Sequence, residues 1–127
     1  MTELQKIHAP GAPAALGPYS QAIKAGAMVF LSGQIPLDPE SMELVEGDIE
    51  AQTRQVFNNL AAVAQAAGAG LQQAVKLTIY LRDLNDFGGV NGIMAEYFSE
   101  PFPARATIEV SALPKGAAVE IDAILVI

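Results

Sequence analysis

Arg105 and Glu120 are the two residues whose types and positions best suit a chemical reaction. The first lies in the segment PARATIEVSAL and the second in AVEIDAILVI, and the turn PKGA joins these strand-like stretches. We therefore expect adjacent antiparallel strands with both side chains on the same face of the sheet. The fork of an arginine matches a carboxylate ligand, and a nearby glutamate accepts a proton from water. The pair is a candidate anion clamp with a general base.

A simpler interpretation of the same two residues stays open on the sequence alone. Arg105 and Glu120 would then form a cross-strand salt bridge on a solvated face, a common arrangement worth less than about 1 kcal/mol. Their spacing does not decide between a salt bridge and a functional site.

Several other chemistries lack their usual residues. The chain has no cysteine and one histidine, His8, which removes thiolate nucleophiles and the usual zinc sites. The glycine motifs that bind phosphates or dinucleotides are absent, as are the serine-hydrolase G-x-S-x-G and the zinc-protease H-E-x-x-H. Phosphate transfer, dinucleotide redox chemistry, serine hydrolysis and zinc catalysis therefore lack their usual sequence signals.

Charge and hydropathy restrict the partners. A net charge of -7 and a pI of about 4.5 work against binding to the phosphate backbone of a nucleic acid. No apolar run approaches the roughly 20 residues that cross a bilayer, and the first ten residues do not resemble a signal peptide. The expectation is a cytoplasmic protein without nucleic-acid or membrane partners.

The first third of the chain is predicted to contain a loop and a hairpin. Residues 9–18 hold three prolines and two glycines, which indicates an ordered loop. Residues 20–35 are β-prone on both sides of Gly26, which predicts a tight hairpin. Its second strand would place one set of side chains on one face and the other set opposite: Val29, Leu31, Gly33 and Ile35 against Met28, Phe30, Ser32 and Gln34.

Two helices alternate with strands in the rest of the chain. Asp48 is suited to cap a helix that runs to about residue 67, before Gly68. Residues 74–83 alternate as a strand, and a second helix is predicted over residues 85–99 before the two terminal strands. Three glycines weaken the second helix unless close backbone packing requires them: Gly88, Gly89 and Gly92.

This order of elements predicts one α+β domain over residues 1–127, with two helices on one face of a mixed sheet. The uncovered face is predicted to mix polar and apolar side chains. With 51% hydrophobic residues in the chain, we expect another subunit to cover that face. Its predicted members are Phe30, Ser32, Tyr80, Arg105, Thr107, Glu109, Glu120, Asp122, Ile124 and Val126.

Four segments resemble one known family. The stretch PARATIEVSALPKGAAVEI is similar to the C-terminal signature of the reactive-intermediate deaminases, the Rid or YjgF-like family, which reads P-x-R, a spaced apolar run, L-P and V-E-[IV]. The segments GPYSQAIKAG, VFLSGQIPLDP and NDFGGVN also resemble that family. The likeness covers nearly the whole chain, with the motifs in the right order.

The resemblance implies a chorismate-mutase-like fold, assembled as a homotrimer with active sites in clefts between subunits. It also implies a cofactor-independent enzyme that limits metabolite damage. The implied reaction hydrolyses 2-iminopropanoate, 2-iminobutanoate and related enamines or imines to the 2-oxo acid and ammonia. The implied partners are this small imino or oxo acid and further copies of the chain.

The resemblance also implies a role for individual residues. Arg105 would bind the substrate carboxylate, and Glu120 would orient and deprotonate the water. The backbone of Thr107 would meet the imine nitrogen. The other implied substrate-binding residues are Tyr19, Ser32, Gly33 and Asn91.

Two alternative functions belong to other classes. A non-catalytic trimer would use Arg105 to bind a 2-oxo acid and signal its level. A ribonuclease or translation inhibitor is reported for some relatives of this family, but the net charge of -7 argues against it. Ammonia release distinguishes the enzyme from the binding protein, and a salt-dependent affinity for RNA would indicate the ribonuclease.

Overall fold

Six strands form one mixed sheet in the computed structural model of the protein, which describes residues 2–127. The order across the sheet is β1-β2-β3-β6-β4-β5, and every neighbouring pair is antiparallel except β4 and β5, which run parallel. The sequence analysis missed β1 and predicted the other strands. Their bounds are β1 Leu4–Ile7, β2 Ala22–Ala25, β3 Met28–Gln34, β4 Ala74–Leu81, β5 Ala104–Glu109 and β6 Val119–Val126.

Two helices, α1 (Ile49–Ala66) and α2 (Phe87–Tyr97), cover one face of this sheet. The first begins where the sequence predicted, because the Asp48 side chain accepts a 2.9 Å hydrogen bond from the backbone N–H of Ala51. Among the described residues, no helix is both long and apolar enough to span a membrane. The predicted α+β fold, with two helices on a mixed sheet, is confirmed.

The core lies between α1 and the central strands. Every second residue is buried from Leu77 to Leu81 in β4 and from Val119 to Leu125 in β6. The two sets share a face, since Ile79 lies opposite Ile121 in the register of the two strands. The apolar stripe of α1 packs on this face through Val56, Phe57, Leu60 and Val63.

The second helix is shorter than the sequence predicted. A 3-10 turn, Leu84–Asp86, precedes it, and it ends at Tyr97. One of its glycines is required by packing, because a Cβ at Gly89 would lie 2.7 Å from side-chain atoms of Ile49 and Glu50 at the start of α1. Gly88 and Gly92 would meet nothing within 4 Å. Close approach of the two helices therefore explains only one of the three glycines.

The prediction that β5 and β6 are adjacent antiparallel strands is wrong. Strand β4 lies between them, pairing with β5 in parallel and with β6 in antiparallel orientation. The crossover from β4 to β5 is made by α2, as a parallel pair requires. The predicted turn is present at Pro114–Gly116, but it lies in a longer connection, residues 110–118, that bypasses β4.

Strand β3 contains an irregularity that the sequence analysis did not anticipate. Its register with β6 shifts between Leu31 and Gln34, where the chain bulges. Gln34 is consequently buried and Gly33 exposed, so the predicted alternation is correct as far as Leu31 and wrong beyond it. The bulge turns Gly33 toward β6, where Glu120 lies.

Candidate active site

Arg105 lies on the edge strand β5 and faces the helices. Its register partner is Leu77, whose side chain is in the core, so the two side chains share the helix-covered face. The guanidinium Nη1 donates a hydrogen bond to the Asn91 side-chain oxygen and lies 3.6 Å from the Met94 sulfur. Its carbon Cζ is 4.9 Å from the centroid of the Phe87 ring, within reach of a cation–π interaction. Three side chains of α2 therefore orient this cation.

An open cleft of about 460 Å³ lies beside the guanidinium. Within residues 2–127, the ion pair that forms is Arg54 with Glu96, and no carboxylate lies within salt-bridge distance of Arg105. The salt bridge to Glu120 that the sequence left open is therefore not formed. An exposed arginine that is oriented but unneutralised can bind an anionic ligand through its remaining N–H groups. The cleft is lined by Asn91, Met94, Ala95, Phe102, Pro103 and Arg105.

Glu120 lies on the opposite face of the sheet. Its register partner is Tyr80, on the face that the helices leave open. Burial raises the pKa of this half-buried carboxyl above its ordinary value, and the neighbouring charge of Asp122 raises it further. No hydrogen bond from the described part of the chain offsets that burial. The carboxyl group is thus a stronger base than an ordinary glutamate.

A second cavity, of about 320 Å³, contains Glu120. Its walls come from three loops, and its apolar members include Pro13, Leu37 and Met42. The side chain of Glu120 lies over Gly33, where a Cβ would collide with the carboxylate. Glycine at this position therefore gives the carboxylate its place in the cavity.

Two buried amide side chains hold the walls of this cavity. The Gln21 amide oxygen accepts a 2.7 Å hydrogen bond from the Ala9 N–H, and its nitrogen donates to the Pro13 carbonyl at 2.8 Å. The Asn59 amide nitrogen, from α1, donates to the carbonyls of Ile35 at 3.3 Å and Leu37 at 3.0 Å. Sequence reasoning missed both residues. The signal for Asn59 was a polar residue inside the apolar stripe of α1.

The predicted site residues are divided between two places. Glu120 shares its cavity with Gly33 and with Tyr19, which is 52% exposed. Asn91 and Arg105 share the cleft on the other side of the sheet. The expectation that the guanidinium and the carboxylate lie on one face is therefore wrong, because β5 presents Arg105 to the helix side and β6 presents Glu120 to the open side.

The two other predicted residues line neither cavity. The Ser32 hydroxyl donates a 2.6 Å hydrogen bond to the backbone carbonyl of Ser20, which ties the start of the hairpin to β3. Thr107 faces the helices, and its buried hydroxyl has no partner among the described residues. Glu109 also faces the helices, so three of the residues predicted for the open face, counting Arg105, lie on the other one.

The side chain of Glu109 has a structural role instead. Its carboxylate accepts a 3.0 Å hydrogen bond from the backbone N–H of Leu84, in the turn that precedes α2. Together with the contacts of Arg105, this bond attaches the edge strand to the helix that crosses over to it. The open face retains exposed apolar side chains at Phe30, Ile108 and Val126.

Comparisons with known proteins agree with this fold. The family model described as endoribonuclease L-PSP matches residues 9–127. A RutC family protein of Pyrococcus horikoshii is 53% identical, covering 93% of this chain and 94% of its own. A 2-iminobutanoate/2-iminopropanoate deaminase of Dermatophagoides farinae is 46% identical, covering 100% of this chain and 99% of its own. The crystal structure of RidA from Psychrobacter superposes with a TM-score of 0.93 at 51% identity, covering 97% of this chain and 99% of that one.

The family match spans nearly the whole chain, and the likeness to proteins of known name extends over the same length. The motifs carried by Tyr19, Gly33, Asn91, Arg105 and Glu120 fall inside it. The chain therefore belongs to the Rid (YjgF-like) family, the family that the endoribonuclease L-PSP model describes.

Proposed function

We propose that the protein hydrolyses imines of 2-oxo acids, such as 2-iminopropanoate and 2-iminobutanoate, to the 2-oxo acid and ammonia. The observation that carries this proposal is Glu120, a half-buried carboxyl group with a raised pKa and no internal partner, at the wall of a small cavity. Such a group is a candidate general base. A relative named as a 2-iminobutanoate/2-iminopropanoate deaminase supports the choice of substrate.

The complete site requires two copies of the chain. Arg105 and Glu120 face opposite sides of one sheet, so one substrate molecule does not meet both within a single chain. Strand β5 is one of the two edge strands of the sheet, and its exposed arginine is available to the Glu120 cavity of a second copy. A contact between different surfaces, repeated around an axis, closes into a ring. We propose the homotrimer that the family resemblance implies, with part of the exposed apolar face between its subunits.

In this arrangement Arg105 of one copy binds the substrate carboxylate and fixes the imine carbon in the cavity of the next. Phe87 and Asn91 hold the guanidinium in place before substrate arrives, so little ordering remains to be done on binding. The backbone of Thr107, two residues further along β5, is the proposed partner of the imine nitrogen. Tyr19 closes the cavity on its exposed side.

In the next step Glu120 transfers a proton from water to the imine nitrogen. Its carboxylate accepts a proton from water as the water oxygen bonds to the imine carbon, and the electron pair of the C=N bond moves to nitrogen. The same carboxyl group returns the proton to that nitrogen. In the resulting carbinolamine the hydroxyl proton passes to the amino nitrogen, the C–N bond breaks, and ammonia leaves as the hydroxyl oxygen becomes the carbonyl of the 2-oxo acid. Water is thus the co-reactant, and the protein supplies position and a base.

The test of this function is ammonia release from an imine generated in place by an amino-acid oxidase. The wild-type protein should accelerate hydrolysis, and Glu120→Gln should lower kcat by about 10²- to 10⁴-fold, because the amide keeps the shape and loses the base. A protein that binds the imine or the 2-oxo acid without accelerating ammonia release would be a binding module instead.

The two-chain arrangement has its own test. Arg105→Ala and Glu120→Gln chains, each with a different tag, are produced together and the mixed oligomers are purified. In a mixed trimer, whichever variant is present twice, one of the three sites combines an intact arginine from one chain with an intact glutamate from the other, which is about a third of the sites. Activity should therefore return to about that fraction of the wild type. Mixed oligomers as inactive as the two parents would refute the shared site.

A further inference from the structure

Two non-glycine residues of the described chain have left-handed backbone conformations, and both lie at the Glu120 cavity. They are Met42, with a φ of 61°, and Lys115, with a φ of 58°. Side chains disfavour this region because the Cβ crowds the following carbonyl oxygen. Such conformations persist where the surrounding structure enforces them, and they cluster at ligand sites.

The turn that carries Met42 is held by several hydrogen bonds. The Asp38 side chain accepts bonds of 2.9 Å and 3.0 Å from the N–H groups of Glu40 and Ser41. The Met42 N–H donates to the Asp38 carbonyl at 2.8 Å, and the Asp38 N–H donates to the Glu43 carbonyl at 2.9 Å. These bonds account for a defined conformation at residue 42, although methionine does not favour it.

The Met42 side chain is directed differently from its neighbours. Ser41 and Glu43 are exposed, whereas Met42 is half-buried and lines the cavity beside Leu37. Leu37 is held in turn, since its carbonyl accepts the hydrogen bond from the buried Asn59. The cavity thus has an apolar wall, formed by Leu37 and Met42, in addition to its carboxylate.

The cavity is larger than a small imine needs. Its volume of about 320 Å³ is at the lower end of the roughly 300 to 1,000 Å³ of pockets that hold whole drug-sized ligands. 2-Iminopropanoate has six heavy atoms, and its carboxylate would be held by the arginine of the next copy. The cavity of the single chain is thus larger than the methyl substituent of this imine would fill.

We propose that Met42 is a specificity-determining residue whose thioether side chain packs against the substituent of the imine. This inference rests on the proposed function and deepens it. The favoured substrates are imines of apolar amino acids with side chains longer than that of alanine. A methionine suits this role because its flexible, polarisable chain adapts to substituents of different shape.

The test compares kcat/KM for imines made in place from alanine and from leucine. Met42→Gly removes the side chain and also suits the left-handed backbone, so its Tm should not fall below that of the wild type. We expect about a 10-fold loss of kcat/KM for the leucine-derived imine, because several apolar contacts are lost. The alanine-derived imine should change by less than about 2-fold, since its methyl group does not reach the wall.

Met42→Leu is the matched variant, because it keeps an apolar side chain of similar size and should retain the preference of the wild type. Equal changes for the two imines in Met42→Gly, or a gain for the leucine-derived imine, would overturn the inference while leaving the proposed function intact. A wild-type protein that accelerates neither reaction would refute the proposed function itself, and the specificity with it.

Discussion

Arg105 and Glu120 are held by opposite means. The guanidinium is exposed, yet it has a hydrogen bond from Nη1 to Asn91 and the ring of Phe87 beneath it. The carboxyl group is half-buried and receives no hydrogen bond from the described residues, while the loops around it are tied down by buried amides. At Arg105 the side chain itself is restrained. At Glu120 the side chain is free of hydrogen bonds within residues 2–127, and the loops that form the cavity walls are restrained.

The difference suits the roles that we propose for the two groups, substrate binding for Arg105 and proton transfer for Glu120. A cation that must grip a carboxylate gains from a fixed orientation, since less freedom is lost on binding. A base gains from partial desolvation and from having no competing donor, because both favour its protonated form and so strengthen it. The two regions are therefore expected to respond differently to substitution: changes beside the arginine should act mainly on KM, and changes beside the carboxylate on kcat.

After Glu120→Gln, the largest effect is expected for Arg105→Ala. Without the guanidinium the substrate carboxylate is buried unpaired, which costs about 2 to 5 kcal/mol, or roughly 30-fold to several thousand-fold in kcat/KM. Steady-state kinetics on an imine should show most of this loss in KM. Arg82→Ala, at an exposed arginine just after β4, is the matched control and should stay within about 2-fold of the wild type. Unchanged kinetics in Arg105→Ala would contradict the proposal that Arg105 binds the substrate carboxylate.

Gly33→Ala should produce the next largest effect, and on kcat instead. The added methyl group would occupy the space of the Glu120 carboxylate and displace the base from its position. Overpacking of this kind costs about 1 to 3 kcal/mol, which corresponds to roughly 10- to 100-fold in rate if the displaced base is the catalyst. Gly92→Ala, where the methyl group meets nothing within 4 Å, is the control. Equal kcat values in the two variants would show that Glu120 need not lie over Gly33.

Asn59→Ala tests whether the walls of the Glu120 cavity are held as described. Loss of its amide leaves the buried carbonyl of Leu37 without its donor, while the Ile35 carbonyl keeps a 2.7 Å hydrogen bond from the Leu37 N–H. Unfolding in urea should therefore show a loss of about 1 to 3 kcal/mol. The neighbouring Asn58 accepts an exposed 2.7 Å hydrogen bond from the Tyr97 hydroxyl. Asn58→Ala should therefore cost less, about 0.5 kcal/mol. If the two variants are equally destabilised, Asn59 does not hold the walls of the Glu120 cavity as described.

The smallest effect is expected for Asp122→Asn, and it concerns pH. In the proposed mechanism Glu120 acts as a base in its ionised form, so kcat/KM should fall as the pH drops through the pKa of that group. The charge of Asp122 raises this pKa, and removing the charge should lower it. The acid limb of the pH profile should then move to lower pH, with little change in its plateau.

Two details make the pH experiment decisive. The Tyr80 hydroxyl donates a 3.0 Å hydrogen bond to the Asp122 carboxylate, and the amide oxygen introduced by Asp122→Asn can still accept it, so the local structure is preserved. Glu96→Gln removes an exposed charge that pairs with Arg54, remote from the cavity, and should leave the profile in place. A limb that moves to higher pH, or moves equally in both variants, would mean that another group controls the rate.

Local patterns in the sequence were sufficient for most of the elements. The cap at Asp48, the apolar stripe of α1 and the alternation of β4 each depend on residues close together in the chain, and each was predicted correctly. The order of the strands was not accessible in this way. Strands β5 and β6 show the same alternation whether they pair with each other or, as found, each with β4.

The faces of the site residues were the main failure. Period-two alternation assigns alternate side chains of β5 to opposite faces of the sheet, but it does not say which of the two faces the helices cover. The set with Arg105 and Thr107 is the more polar one, which favoured the open face, yet on an edge strand such side chains reach the surface beside α2. The bulge before Gln34 and the loop contacts of Asn59 were equally inaccessible, since both depend on partners distant in the chain.

Gly89 links the position of Arg105 to the packing of α2 against α1, on the side of α2 away from the cleft. The absence of its side chain lets α2 settle against the first turn of α1, and α2 carries Phe87, Asn91 and Met94, the residues that seat Arg105. The packing of α2 on α1 thus helps to set the position of the Arg105 guanidinium. In the proposed site, Gly89→Ala should therefore move α2 away from α1, displace the side chains that hold Arg105 and change the affinity for the imine, although residue 89 does not line the cleft.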